Sequence, residues 1–300
     1  MIRVGTSGWN YPSGAGTWNG IFYPSRRPRG FDELAYYAEH FDTVEINSTF
    51  YRMPEAPMSQ RWIERTPRGF LFSLKLYQKF THPDMYLARD GVKDWDLTRA
   101  DIDLFRAGIE PLAAAERLAA LLIQFPASFH AEPDTRLYLD WLLEAFAEFP
   151  LVVELRHRSW SDAPDETLSL LAQRGASLAI IDAPNIADTT SGVVSPGLVY
   201  IRFHGHNAAN WWTHEHRDDR YDYLYTAEEL KPYAALAGRS EKAAKRVLMY
   251  MNNHFSAKAV ANAAILKHQL GQAVPGEYAR EMRTRYPELR EITAPTDLLE

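Results

Sequence analysis

The sequence predicts an α/β protein of one domain: a (β/α)8 TIM-like barrel with a weak sixth helix and long loops after strands three and seven. Three observations predict it. Eight short β-rich runs alternate with apolar residues at helical spacing, the pattern of parallel strands joined by crossover helices. No linker-like stretch interrupts residues 1–275, and 300 residues suit one α/β barrel. The polar residues of the runs gather at their carboxyl ends, where barrels of this class build their sites.

The runs are IRVGTS at 2–7, TVEIN at 43–47, FLFSLK at 70–75, ALLIQF at 120–125, LVVELRH at 151–157, SLAIID at 177–182, LVYIRFH at 198–204 and RVLMYMNN at 246–253. Between them, helical spacing links Phe31, Leu34 and Ala38, then Leu104 through Leu118, then Leu137, Leu139, Leu142, Leu143 and Phe146. It continues through Leu168, Leu170 and Leu171, through Leu230, Tyr233 and Leu236, and from Ala259 to Leu270. The sixth unit is weak because 183–197 offers little helix, and 276–300 is a charged extension, packed on the barrel or frayed. Loops 76–97 and 205–225 are long enough to act as lids.

A composition of 46% hydrophobic residues with a net charge of −6 excludes disorder and a bulk cationic nucleic-acid coat, though not a local basic cleft. With no cysteine, thiol nucleophiles, thiolate metal sites and disulfides are excluded. No apolar run approaches the roughly 18 residues of a membrane span, and Met1 leads at once into IRVGTSG. The expectation is a cytoplasmic protein without a secretory leader. Mixed charge on the helices (Glu64/Arg65, Glu228/Glu229, Lys242/Lys245) favours a monomer.

Strand alternation puts residues i and i+2 on one face. Glu45 therefore shares a face with Asn47, Ser73 with Lys75, Glu154 with Arg156, and Tyr200 with Arg202 and His204. Gln124, Asp182 and Asn252 close their own strands. Six tryptophans (Trp9, Trp18, Trp95, Trp160, Trp211, Trp212) fall in loops, where they either line a site or seal the barrel mouth. Eight histidines (His82, His130, His157, His204, His206, His214, His216, His254) lie at strand ends or in those loops.

GTSGWNY at 5–11, FYP at 22–24, YYAEHFDTVEINSTFYRMP at 36–54, FLFSLK with THP at 81–83, LLIQFPASF, VVELRHRSW, YIRFHG and MYMNNHF follow one another in order. Together they resemble the DUF72 (YecE-like) family across residues 2 to 270. The resemblance implies a TIM barrel and no assigned activity. His206, His214 and His216 lie outside the matching motifs, so it carries no role to them.

The residue types predict an acid/base site. Glu45, Lys75, Glu154, Asp182 and His204 are the candidate catalytic groups, His204 because an unperturbed imidazole titrates near neutrality. Ser7, Trp9, Tyr11, Asn47, Tyr51, Gln124, Arg156, Trp160, Arg202, Asn252 and Asn253 are the candidate binding groups. Arg156 and Arg202 match carboxylate or phosphate by two-point geometry, and the aromatic rings match a flat group. The expected partner is a small anionic substrate or a nucleic-acid end: a phosphorylated sugar, a nucleotide or a strand terminus. Hydrolysis, elimination and isomerisation stay open as reactions. Two other readings also stay open. Glu45, Glu154, Asp182 and His204 could hold a divalent ion in a metal-dependent phosphodiesterase or nuclease, although Lys75 and the arginines compete for those carboxylates. The same mouth could instead bind RNA, a nucleotide or a sugar phosphate without turnover. A plug of ion pairs is the structural explanation of the same residues. With no Walker-type, dinucleotide-type, zincin or nucleophile-elbow motif, no cofactor and no metal are expected.

Overall fold

Strands form where the aliphatic runs stand, and helices form between them. In the computed structural model of the chain, residues 1–89, 91–184, 197–207 and 219–295 are described. The strands are β1 (Ile2–Ser7), β2 (Thr43–Ile46), β3 (Leu71–Lys75), β4 (Leu118–Gln124), β5 (Leu151–Glu154), β6 (Ser177–Leu178), β7 (Ile180–Asp182), β8 (Leu198–Phe203) and β9 (Arg246–Met251). The helices are α1 (Glu33–His40), α2 (Ser48–Tyr51), α3 (Ala56–Glu64), α4 (Pro83–Leu87), α5 (Arg99–Ala114), α6 (Pro133–Ala145), α7 (Pro164–Gln173), α8 (Ala227–Ser240) and α9 (Lys258–Gln269). β10 (Glu277–Tyr278), α10 (Arg280–Arg285) and β11 (Ala294–Pro295) follow. This is the mixed α/β class of the TIM-like barrel that the alternation predicts.

The chain divides into two compact bodies, with boundaries falling inside β2, β7 and β8. One of them spans Glu45–Ile180 and takes in Ile186–Tyr200. Its strands run β6-β5-β4-β3-β2. β3, β4, β5 and β6 pair in parallel, with Lys75 opposite Leu122 and Gln124 opposite Glu154. Every residue of β4 is buried, which is why LAALLIQ reads as a continuous aliphatic run rather than an alternation. α5 starts from a Thr98/Asp101 capping box that satisfies otherwise orphaned backbone donors. It ends before Glu116, whose φ of 57° is left-handed, and Arg117 donates its N–H to Leu112 O. That turn overrides the helical spacing expected as far as Leu118, which instead opens β4.

Three further expectations change. The sixth run is interrupted at Ala179 between β6 and β7. Leu104 and Leu137 point to solvent, because α5 buries Ile102, Phe105, Ile109 and Leu112 and α6 buries Leu139, Leu142 and Leu143. Loop 76–97 is not bare: it carries a 3-10 turn at Gln78–Phe80 and helix α4. The Lys79 amine holds Asp101 at 2.8 Å, and Trp95 Nε1 donates to Lys79 O at 2.7 Å, so local bonds tie this loop down. Most of the sixth-unit segment 183–197 and of loop 205–225 lies outside the described residues, as do Trp211, Trp212, His214 and His216.

The other body comprises Met1–Val44, Ile181–Asn185 and Ile201–Glu300, with strand order β1-β9-β8-β7. β1 pairs in parallel with β9, placing Gly5 opposite Tyr250. A Cβ on Gly5 would stand 2.3 Å from Thr43 O, so only glycine lets the backbones approach. Gly5→Ala is expected to destabilise the fold by about 2–3 kcal/mol, read as a lower urea midpoint. Tyr37 ties the same place together, its hydroxyl accepting from Thr6 N at 2.9 Å and donating to Thr43 O at 3.1 Å. Beyond residue 275, Tyr278, Met282, Tyr286 and Leu289 are buried, and His40 Nε2 lies 3.0 Å from Glu277 O.

Candidate functional site

In the body that contains β3 to β5, charged groups stand at adjacent strand ends. Glu154, the last residue of β5, is fully buried, and its Oε1 accepts from Arg156 Nε at 2.7 Å. Alternation puts the two on one face, and the strand stops between them, leaving the Arg156 side chain 26% exposed. No other described residue bonds to Arg156, so both Nη groups are open. Gln124 stands opposite Glu154 in the ladder. Lys75 ends β3, with its amine 3.6 Å from the centre of the Phe50 ring, and its carbonyl accepts from Thr49 Oγ1 at 2.6 Å. α2 therefore starts where it can place Phe50 beneath Lys75.

His82 joins this group. Burial pushes its imidazole down, the Lys75 and Arg156 charges push further, and Glu154 opposes them, leaving it at about 3. At neutral pH it is an uncharged ring, with Nδ1 2.8 Å from Thr81 Oγ1 and its plane perpendicular to that of Phe50. Glu45 is buried on β2, and its Oε2 accepts from Tyr200 Oη at 2.7 Å. Ser73 is buried on β3, and Asn47 lies just past β2 with its Oδ1 buried and unbonded. Tyr51 is 46% exposed. Trp160 is buried and committed to packing: it stacks on Phe129, carries Arg136 over its ring, and donates Nε1 to Phe129 O at 2.8 Å.

In the body that contains β1 and β9, Arg202 and His204 are buried at the end of β8. Arg202 Nη1 lies 3.4 Å from His204 Nε2, and Asn252 Nδ2 lies 2.9 Å from His204 Nδ1. Guanidinium can only donate, so a proton on Nε2 would point at a cation. Asn253 is buried, donating to Tyr223 O and Asn262 Oδ1 while its own Oδ1 is unbonded. The chain then turns through Ser256 and Ala257, both at positive φ, a strain of about 1–3 kcal/mol each. Ser7 is buried, Tyr11 stacks on His254 with centroids 4.2 Å apart and donates to Ser7 O, and the Trp9 carbonyl accepts from Tyr23.

Asp182 is the hub of that body. Burial pushes its carboxyl up, but hydrogen bonds from His206, Tyr225 and Tyr233 together hold it below the ordinary carboxylate value. Tyr233 Oη donates to Oδ1 at 2.6 Å, and Tyr225 donates to Oδ2. His206 Nε2 stands 3.0 Å from Oδ1.

Several sequence expectations are thereby sorted. Among the described residues no group of three or more His, Asp or Glu side chains is placed to hold a metal ion. Within one body Glu45 bonds Tyr200 and Glu154 bonds Arg156; within the other Asp182 bonds His206 and His204 bonds Asn252. The His204 ring bonds Asn252, and the His206 ring bonds Asp182. Sequence reasoning missed His82, His206, Tyr225 and Glu229 as members of the clusters. The tyrosine alternation in YDYLY at 221–225 was the available signal for the Asp182 hub.

The family model described as "Protein of unknown function DUF72" matches residues 3–285. UPF0759 protein YunF of Bacillus subtilis (strain 168) is 28% identical over 272 residues, covering 87% of this chain and 92% of that protein. UPF0759 protein YecE of Escherichia coli (strain K12) is 30% identical over 188 residues, or 61% of this chain and 60% of YecE. A crystal structure of a DUF72 family protein from Enterococcus faecalis V583 superposes with a TM-score of 0.76 at 25% identity, covering 90% of this chain and 96% of that one. Another, from Thermotoga maritima MSB8, gives a TM-score of 0.73 at 30% identity, covering 91% and 100%. Among the described residues no helix is long and apolar enough to cross a membrane. Because the match runs through nearly every strand end described above, the chain belongs to the DUF72 family, whose function is unknown.

Proposed function

We propose that this protein is an enzyme that applies acid–base chemistry to an anionic, partly flat substrate: a phosphorylated sugar, a nucleotide or a nucleic-acid end. The observation that carries the reading is Arg156, which spends Nε on a buried carboxylate and keeps both Nη groups open beside Lys75 and an uncharged His82. Two Nη donors in a plane match two oxygens of a phosphate or carboxylate. In this reading Arg156 and Lys75 hold the anion, Glu154 orients Arg156, and Glu45 with Tyr200 moves the proton. Tyr51 offers a flat face, and Asn47 and Gln124 offer directional bonds. Hydrolysis, elimination and isomerisation are the reaction classes that such a set serves. The setting proposed is cytoplasmic and the state monomeric, on the mixed charge of the outer helices.

The test is incubation of the purified protein with sugar phosphates, nucleotides and end-phosphorylated oligonucleotides, followed by phosphorus and proton NMR. Turnover that disappears in Glu45→Gln is the expected result. Saturable binding with no turnover across the panel would make the protein a binding module. Absence of both binding and turnover across the panel would sink the reading.

A further inference from the structure

The anion-site reading leaves one cluster unused, the histidine between two carboxylates beside Asp182. His206 Nε2 lies 3.0 and 2.9 Å from the two Asp182 oxygens, and Nδ1 lies 3.6 Å from Glu229 Oε1. A neutral imidazole has one N–H and serves only Asp182 as donor; an imidazolium also presents a charged N–H to Glu229 at ion-pair distance. Each carboxylate is fixed independently of His206. Asp182 is gripped by Tyr225 and Tyr233, while Glu229 accepts from Tyr223 and from the Thr226 backbone and hydroxyl, both at 2.8 Å, as the cap of α8. Neither acid can turn away when the ring loses its proton, so the Nδ1 lone pair would then face a carboxylate. Tyr223 and Tyr225 pack on the ring with centroids 5.2 and 5.4 Å away. Among the described residues, Asp182 from β7 and Glu229 from α8 are the charged groups that face it, and no cation does.

We propose that His206 is a proton-gated clamp: as an imidazolium it fastens β7 to the first turn of α8 and holds segment 219–226 between them, and deprotonation releases the Glu229 side. The Asp182 hydrogen bond raises the imidazole most, burial opposes it, and the Asp182 and Glu229 charges add to the rise. The sign follows. A group whose folded value lies above its unfolded one stabilises fully below the unfolded value, and that stability is lost as pH rises through the folded value.

The clamp stands or falls on two measurements with the full chain. Urea unfolding of the wild type and His206→Gln from about pH 5.5 to about pH 8.5 should show a wild-type advantage that is largest at the acid end and fades toward the alkaline end. The His206 Cε1 proton, followed by NMR, should titrate above its value in the urea-unfolded chain, and Glu229→Gln should lower that midpoint. An advantage independent of pH, or a midpoint at or below the unfolded value, overturns the proposal. If His206→Gln does not fold, the titrations of wild type and Glu229→Gln decide alone. Neither measurement involves substrate, so failure here leaves the anion-site reading standing.

Discussion

Arg156→Ala is expected to lose anion binding by roughly 100-fold or more and also to weaken the fold. Two charge-assisted hydrogen bonds, each worth about 1.5–3 kcal/mol, leave with the guanidinium. Removal also strips a bonded cation from Glu154, which has no exposure to water. Breaking a fully buried pair costs about 3–5 kcal/mol. Because Arg156 is 26% exposed, roughly 2–3 kcal/mol is the expected loss here. The two effects separate in the double variant Arg156→Ala/Glu154→Gln, which removes the stranded charge and should regain much of the stability without regaining affinity. Arg156→Lys should keep the charge but lose the two-point fit. Calorimetric titration with inorganic phosphate, beside urea unfolding, reads both quantities. Unchanged affinity in Arg156→Ala would show that the open Nη groups do not face a ligand.

Asp182→Ala should cost roughly 3–5 kcal/mol, the largest loss expected from any single strand-end acid. Three donors converge on this carboxylate, and its removal takes the acceptor from two tyrosine hydroxyls and leaves His206 with Glu229 as its remaining carboxylate. Asp182→Asn should cost less, since an amide oxygen still accepts. The pH dependence has a definite sign. The carboxyl sits below its ordinary 3.8, so its contribution is complete above that value and is lost as pH falls through the folded value. Asp182→Asn should flatten this acid limb. Unfolding curves at several acid pH values check it. Were Asp182→Ala as stable as the wild type yet inactive, Asp182 would return to the catalytic set and its role as a hub would be wrong.

Much of this architecture was legible in the sequence. Runs rich in Val, Ile, Leu and Phe became strands within a few residues of where alternation put them, and Glu154 and Arg156 do share a face and meet at 2.7 Å. Strand limits were less legible. Arg156, His204 and Asn252 read as strand residues but lie just past the strand ends, where the ladder no longer constrains them. Leu118 continued a helical spacing that a left-handed turn at Glu116 cut short. Trp160, read as a stacking surface, packs inside, because an indole ring buries more apolar area against Phe129 than a solvent-facing loop position offers.

What the sequence determined by itself is the order of the elements and the end of each strand at which the ionisable groups stand. Both follow from local rules: periods of two and of 3.6, and the need to bury the aliphatic face. Only the tertiary structure decided the partners. Whether Glu45 meets a tyrosine, and whether Asp182 is gripped by three donors, depends on residues far apart in the chain (Tyr200 lies 155 positions from Glu45, Tyr233 51 from Asp182). Hydrogen bonds act over about 3 Å, and no regularity along the chain reports which distant donor arrives within that reach. His206 shows it most plainly: its neighbours in sequence say nothing of the two carboxylates that face its ring.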